Sequence, residues 1–187
     1  MADIMQRTNP GQGKIDTVCF TGHRNIDFNK AVLIPSRLKA LMEELIARGA
    51  RSFRAGGAIG FDMIAALCVL ELKEKHPYIR LDLKLPCKSQ ADAWSEPDKK
   101  AYRYILSQAD SIEYVSENYV SWCMHERNRS LVNGSQVCIA YLLQSNGRHG
   151  LHLQLCLKKG HRGYKSCKYE LKRTRKILVL FNMLGKF

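Results

Sequence analysis

The stretch Ala55-Gly56-Gly57-Ala58-Ile59-Gly60 constrains the fold of this chain more than any other. It places three glycines between a short β-favouring run, Ser52 to Ala55, and a helical pattern from Phe61 to Lys75 carrying Met63, Ile64, Leu67, Leu70 and Leu72. Strand, glycine-rich turn and helix form one βα unit, and the pattern recurs. Thr17-Val18-Cys19-Phe20 is a short apolar run that stops at Thr21-Gly22-His23-Arg24. From Ala31 to Arg48, Leu33, Ile34, Leu38, Leu41, Leu45 and Ile46 recur at three and four, with Gly49 as the stop. Ile79 to Leu85 alternates as a strand with one polar face and closes at Pro86. A helix from Asp98 to Gln108 leads to a strand at Ser111 to Val115, and a helix from Met124 to Asn133 leads to a strand at Gln136 to Leu143. Strands alternating with helices predict an α/β fold with a doubly wound, mainly parallel sheet and helices on both faces. Ligands in such folds sit at the carboxyl ends of the strands.

With 187 residues, 45% of them hydrophobic, the chain is long enough for one well-buried domain. No apolar run approaches the ~20 residues of a membrane helix, and Met1 to Asp16 reads as a polar leader without a signal-like stretch, so a cytoplasmic protein without a membrane partner is expected. The seven cysteines are odd in number, contain no C-x-x-C pair and mostly lie among apolar residues. They read as buried thiols rather than disulfides, and no metal site is expected. The net charge of +13 suggests nucleic acid until it is divided along the chain. Residues 145–187 carry 11 Lys and Arg against a single acidic residue, whereas residues 1–144 carry 19 against 16. Basicity is therefore a property of the tail, and any polynucleotide contact made by charge would be made there.

Three segments carry chemistry. Thr21-Gly22-His23-Arg24 ends the first strand, where a glycine lets backbone approach a ligand and an arginine offers a fork to phosphate; a polar loop with a surface arginine is the plain alternative. Gly56, Gly57, Ala58 and Gly60, followed by Phe61 and Asp62, put successive N–H groups and a helix N-terminus where an anion can bind. Asp62, in the first helical turn, either opposes the helix dipole or accepts a hydrogen bond from a ribose hydroxyl. Met124-His125-Glu126-Arg127-Asn128-Arg129 opens the last helix. It is either a solvated charged face or the source of Arg127 and Asn128 as further phosphate and base contacts at the pocket rim.

Together these segments resemble the SLOG superfamily, which joins the DNA-processing protein DprA with the LOG nucleotide hydrolases, and most closely its YpsA-like branch. Cys19-Phe20-Thr21-Gly22-His23-Arg24 is similar to the branch's opening strand and loop, and Gly56 to Asp62 to its second loop. The segment around Arg127 resembles the one that supplies a ligand-contacting arginine in LOG proteins. The likeness covers residues 17–144. It implies a Rossmann-like domain with a pocket for a nucleotide or nucleotide-derived small molecule, needs no cofactor, and is compatible with a homo-oligomer.

Beyond Ala140 the pattern departs. Where LOG hydrolases carry G-G-x-G-T-x-x-E, this chain reads Gln144-Ser145-Asn146-Gly147-Arg148-His149-Gly150-Leu151, and no glutamate occurs between Glu126 and Glu170. The residue expected to stabilise an oxocarbenium-like transition state is missing, which leaves binding or sensing without catalysis as the first expectation. A LOG-like phosphoribohydrolase and a DprA-like nucleic-acid binder acting through the basic tail are the alternatives. Codons for Gly147 to Leu151 can be chosen so that a one-base shift reads Gly-Gly-Thr-Ala. Residues 145–187 are thus either a divergent tail or a frameshifted one, in which Ile177 to Phe181 still reads as a strand.

Overall fold

The computed structural model describes residues 15–141, 168–171 and 175–179. Its centre is a parallel sheet of β1 (Thr17–Gly22), β2 (Ser52–Ala55), β3 (Arg80–Cys87), β4 (Ser111–Ser116) and β5 (Val137–Tyr141), in the order β4-β3-β2-β1-β5. Beyond β5 the sheet continues with β7 (Arg175–Val179), parallel to it, and ends at β6 (Lys168–Leu171), which runs antiparallel. The helices are α1 (Phe28–Ala47), α2 (Phe61–Lys75), α3 (Glu96–Gln108) and α4 (Cys123–Asn133), with a short 3-10 turn at Lys88–Ala91. This is the expected α/β, doubly wound, mainly parallel sheet.

The strand order explains the layers. From β1 to β4 each step moves in one direction, so right-handed crossovers put α1, α2 and α3 on one face; the return from β4 to β5 across β1 puts α4 on the other. The two faces differ in chemistry. Towards α2 point Val18 and Phe20 of β1, Phe53 and Ala55 of β2, and Leu81, Leu83 and Leu85 of β3, all almost fully buried. Phe20 lies against Phe53 at 6.2 Å and against the edge of Phe61 at 6.4 Å. From α1, Ile34, Leu38, Met42, Leu45 and Ile46 complete this core, whereas Leu33, expected on the apolar face, is 45% exposed.

Towards α4 the sheet presents Ser52 and Arg54 of β2, Asp82 and Lys84 of β3, and Ser111 and Glu113 of β4. Asp82 gathers this face by accepting hydrogen bonds from Ser52 Oγ at 2.7 Å, Ser111 Oγ at 2.6 Å and Arg80 Nη2 at 3.3 Å, while Lys84 pairs with Glu113. On α4 only Cys123, Arg127 and Leu131 are buried, one per turn.

Local chemistry sets the helix ends. α1 begins at Phe28, three residues before the first helical residue expected, because the Asp27 carboxylate accepts from the Asn29 N–H at 3.1 Å. Ser95 caps α3 by accepting from the Asp98 N–H, and Pro97 fits the first turn, where its missing N–H costs no helical bond. The strand expected at Ile177 to Phe181 lies at Arg175–Val179. The leader up to Lys14 and the Gly147 to Leu151 stretch lie outside the described residues.

Burial opposes the charged form of Asp82, but hydrogen bonds from Ser111 and Ser52 and the neighbouring Arg80 outweigh it, so its carboxyl titrates below the ordinary 3.8. A lowered folded-state pKa contributes stability above the unfolded value that disappears as pH falls through the folded one. Asp82→Asn should therefore destabilise the protein by about 1–3 kcal/mol at neutral pH. Urea melts of both proteins should show the gap narrowing below pH ~4; a gap that stays constant into acid would contradict this assignment.

Candidate functional site

The carboxyl ends of β1, β2 and β3 lie side by side, so the glycine turn after β2 sits between the loop after β1 and the 3-10 turn after β3. Gly57 (φ +63°) and Gly60 (φ +91°) both adopt the left-handed backbone region that glycine favours. A Cβ on Gly57 would come within 2.7 Å of Leu85 Cδ2 and 3.2 Å of the Tyr102 ring, and one on Gly60 would strike the carbonyls of His23 and Arg24. The two loops are also joined by hydrogen bonds. The Phe61 N–H donates to the His23 carbonyl at 3.1 Å, the His23 N–H to the Tyr141 carbonyl at 3.2 Å, and Gln90 Nε2 to the Gly57 carbonyl at 2.9 Å.

These bonds orient peptides. In a trans peptide the C=O of one residue and the N–H of the next point in opposite directions. With the Gly57 carbonyl held by Gln90, the Ala58 N–H is directed away from the 3-10 turn; with the His23 carbonyl held by Phe61, the Arg24 N–H is directed away from α2. Among the described residues no acceptor is found for the N–H groups of Arg24, Ala58, Ile59 or Gly60. Ala58, Ile59 and Gly60 are half-exposed and Arg24 is exposed, its guanidinium 6.0 Å from the centre of the Trp94 ring.

Other candidate residues serve beneath the surface. Phe61 is fully buried, stacks on Tyr141 at 5.5 Å and lies so close under Gly22 that a Cβ there would approach it within 2.6 Å. Gly22 is thus required for helix-to-strand packing. Thr21 and His23 are half-buried. Arg127, expected at the rim beside Arg24, is instead buried: it leaves α4, passes above Gly56 and pairs with Asp62 at 3.2 Å, each side chain 9% exposed. A Cβ at Gly56 would overlap its guanidinium. The physical reason is that an ion pair taken out of water is tolerable only when each charge meets its counterpart, and the missing side chain at Gly56 supplies the passage. Asp62 is therefore the partner of an arginine inside the protein, and Arg127 Nε remains buried without an acceptor. Asn128 is half-buried, and no side-chain hydrogen bond of it is found among the described residues.

Sequence reasoning missed the third wall, formed by Gln90, Trp94 and Tyr102. Gln90 and Trp94 lie in an aperiodic connection, and Tyr102 reads as an ordinary helix residue. Its phenol is buried near Gln90, and burial pushes its pKa well up, with Tyr114 and Cys87 adding to the rise. No group of three or more His, Cys, Asp or Glu among the described residues could hold a metal ion, and none of the described helices is long and apolar enough to cross a membrane. Most of the basic segment, residues 145–167, lies outside the described residues.

Residues 18–172 match the YpsA profile, the YspA SLOG family. The chain belongs to this family. It is 32% identical over 120 residues to the SPbeta prophage-derived protein YoqJ of Bacillus subtilis, covering 57% of this chain and 70% of YoqJ. A UPF0398 protein of Brevibacillus brevis is 31% identical, with 55% of this chain and 56% of that one covered. A UPF0398 protein of Halalkalibacterium halodurans is 33% identical, with 51% and 48% covered, so the chain spans about half the length of these two relatives. Among solved structures, DNA processing protein A from Helicobacter pylori, studied for its single-stranded DNA binding mode, aligns with a TM-score of 0.49 at 19% identity over 76% of this chain and 72% of its own.

Arg127→Ala would remove the positive charge paired with the buried Asp62 carboxylate and should destabilise the protein by about 3–5 kcal/mol. Gly56→Ala should cost about 1–3 kcal/mol through the displaced guanidinium, and less than that when introduced into Arg127→Ala. A double-mutant cycle of urea midpoints measures this coupling; additive costs would show that Gly56 is not the passage for Arg127.

Proposed function

We propose that this SLOG domain binds the phosphate of a nucleotide or nucleotide-derived small molecule at the carboxyl ends of β1 and β2, as a binding or sensing domain. The observation that carries this reading is the pair of pinned carbonyls, on His23 and Gly57, which leave the Arg24 and Ala58 N–H groups directed away from their own supports. A row of half-exposed amides beside a helix N-terminus suits an anion. Arg24, exposed and on the neighbouring loop, supplies the formal positive charge, and its fork can take two phosphate oxygens. Arg127 and Asp62 act in this reading as the fixed floor under Gly56, holding α4 to α2 so that the glycine turn keeps its shape, and Asn128 lines the α4 side.

The same chemistry explains why binding is favoured over turnover. Asp62, the acidic side chain next to the turn, is occupied by Arg127, and the glutamate motif that the LOG hydrolases use has no counterpart between Glu126 and Glu170. Incubation with nucleoside 5′-monophosphates should yield saturable binding and no free base.

Arg24→Ala should weaken a phosphorylated ligand by about 1–3 kcal/mol while leaving the melting curve unchanged, because the side chain is exposed. Isothermal titration with the dephosphorylated ligand provides the control, and an equal loss for both forms would refute the phosphate contact. Gly57→Val should abolish binding in the folded fraction, since a β-branched residue is strained at φ +63° and meets Leu85 and Tyr102. Normal affinity in that fraction, read beside a urea melt, would remove the turn from the site.

A further inference from the structure

We infer that Trp94 is the stacking platform for a planar aromatic base, which makes the ligand of this domain a base-bearing phosphate rather than a sugar phosphate or a free anion. The inference rests on the phosphate reading above and adds the part of the ligand that the glycine turn does not touch. Trp94 stands between the 3-10 turn after β3 and α3, in a segment that flanks the glycine turn on the side opposite the loop from which Arg24 extends. Two contacts fix this segment. Gln90, four residues earlier, donates to the Gly57 carbonyl, and the Trp94 ring meets the buried Tyr102 ring at 5.1 Å with the planes 64° apart. An indole held against a core side chain is ordered before any ligand arrives, so stacking on it forfeits little rotamer freedom.

The spacing above the ring points to its use. The Arg24 guanidinium lies 6.0 Å from the ring centre, at the outer limit of a cation–π contact. A planar base stacked on the indole and covered by the guanidinium needs roughly 7 Å between them, twice the ~3.5 Å of a close carbon contact. Arg24 is exposed and on a loop, and an outward shift of about 1 Å would admit a base between the two planes. Gln90, whose Oε1 has no hydrogen-bond partner, lies in the same segment and keeps the platform in register with the turn that takes the phosphate.

The chain has two tryptophans, Trp94 and the exposed Trp122, so Trp122→Phe leaves Trp94 as the sole indole reporter. Titrating this variant with adenosine 5′-monophosphate, ribose 5-phosphate and inorganic phosphate separates the parts of the ligand. The nucleotide should quench Trp94 emission and bind roughly tenfold or more tightly than ribose 5-phosphate, the range that stacking one base supplies. Calorimetry should show Trp94→Ala losing that advantage and Trp94→Phe keeping most of it, with the ribose 5-phosphate affinity equal in all three. Equal affinity of the nucleotide and ribose 5-phosphate for the Trp122→Phe protein, or an undiminished preference in Trp94→Ala, would overturn the platform while leaving the phosphate reading intact. Failure of all three compounds to bind would overturn the phosphate reading itself, and the platform with it.

Discussion

The ion pair between Arg127 and Asp62 is the contact on which the rest of this site depends. Here the two helical layers touch across the end of the sheet. α2 and α4 lie on opposite faces, and at the carboxyl end of β2 the arginine of one reaches over the strand to the carboxylate of the other. Such a contact is possible only where the strand ends in a residue without a side chain, and Gly56 is that residue. Removing either charge leaves its partner in a poorly solvated place, so the pair constrains three elements together: the end of β2, the first turn of α2 and the middle of α4.

Around this crossing the glycines divide their work. Gly22 admits Phe61, Gly56 admits Arg127, and Gly57 and Gly60 provide backbone angles that other residues adopt only under strain. The loop after β1 and the turn after β2 thus combine two packing positions with two conformational ones. The amides directed away from their supports belong to Arg24 and to the residues of the turn from Ala58 onward. Hydrogen bonds that fix carbonyls set the direction of these peptides.

Much of the fold was legible because the sheet is nearly apolar on one face and its helices obey a clear period: α2 matches its expected bounds, Phe61 to Lys75, at both ends. The start of α1 was displaced because Asp27 acts as a cap four residues before Ala31, where the expected pattern begins. In the site, the glycine turn and the loop after β1 were readable from residue type. The fate of Arg127 was not, since a helical arginine near a strand end reads alike whether it faces solvent or a buried carboxylate 65 residues away in sequence. Gln90 and Trp94 left no periodic signal either; their position comes from the side-by-side order of β1, β2 and β3, which a linear reading does not supply.

The polar face of the sheet carries a consequence for how the molecule opens. Local opening is cheapest where little apolar surface leaves its neighbours, and α4 covers serines, charged side chains and an Asp82 network with only three buried residues of its own. α2, by contrast, buries eight. Transient detachment of α4 would uncover a surface in which this polar network lies beside the small side chains Cys19 and Cys138 and no large aliphatic or aromatic residue of β2 or β3. Because Arg127 travels with α4, each such excursion would also release Asp62 and relax the turn above it. The shape of the glycine turn is in this way tied to a helix that buries only three residues of its own.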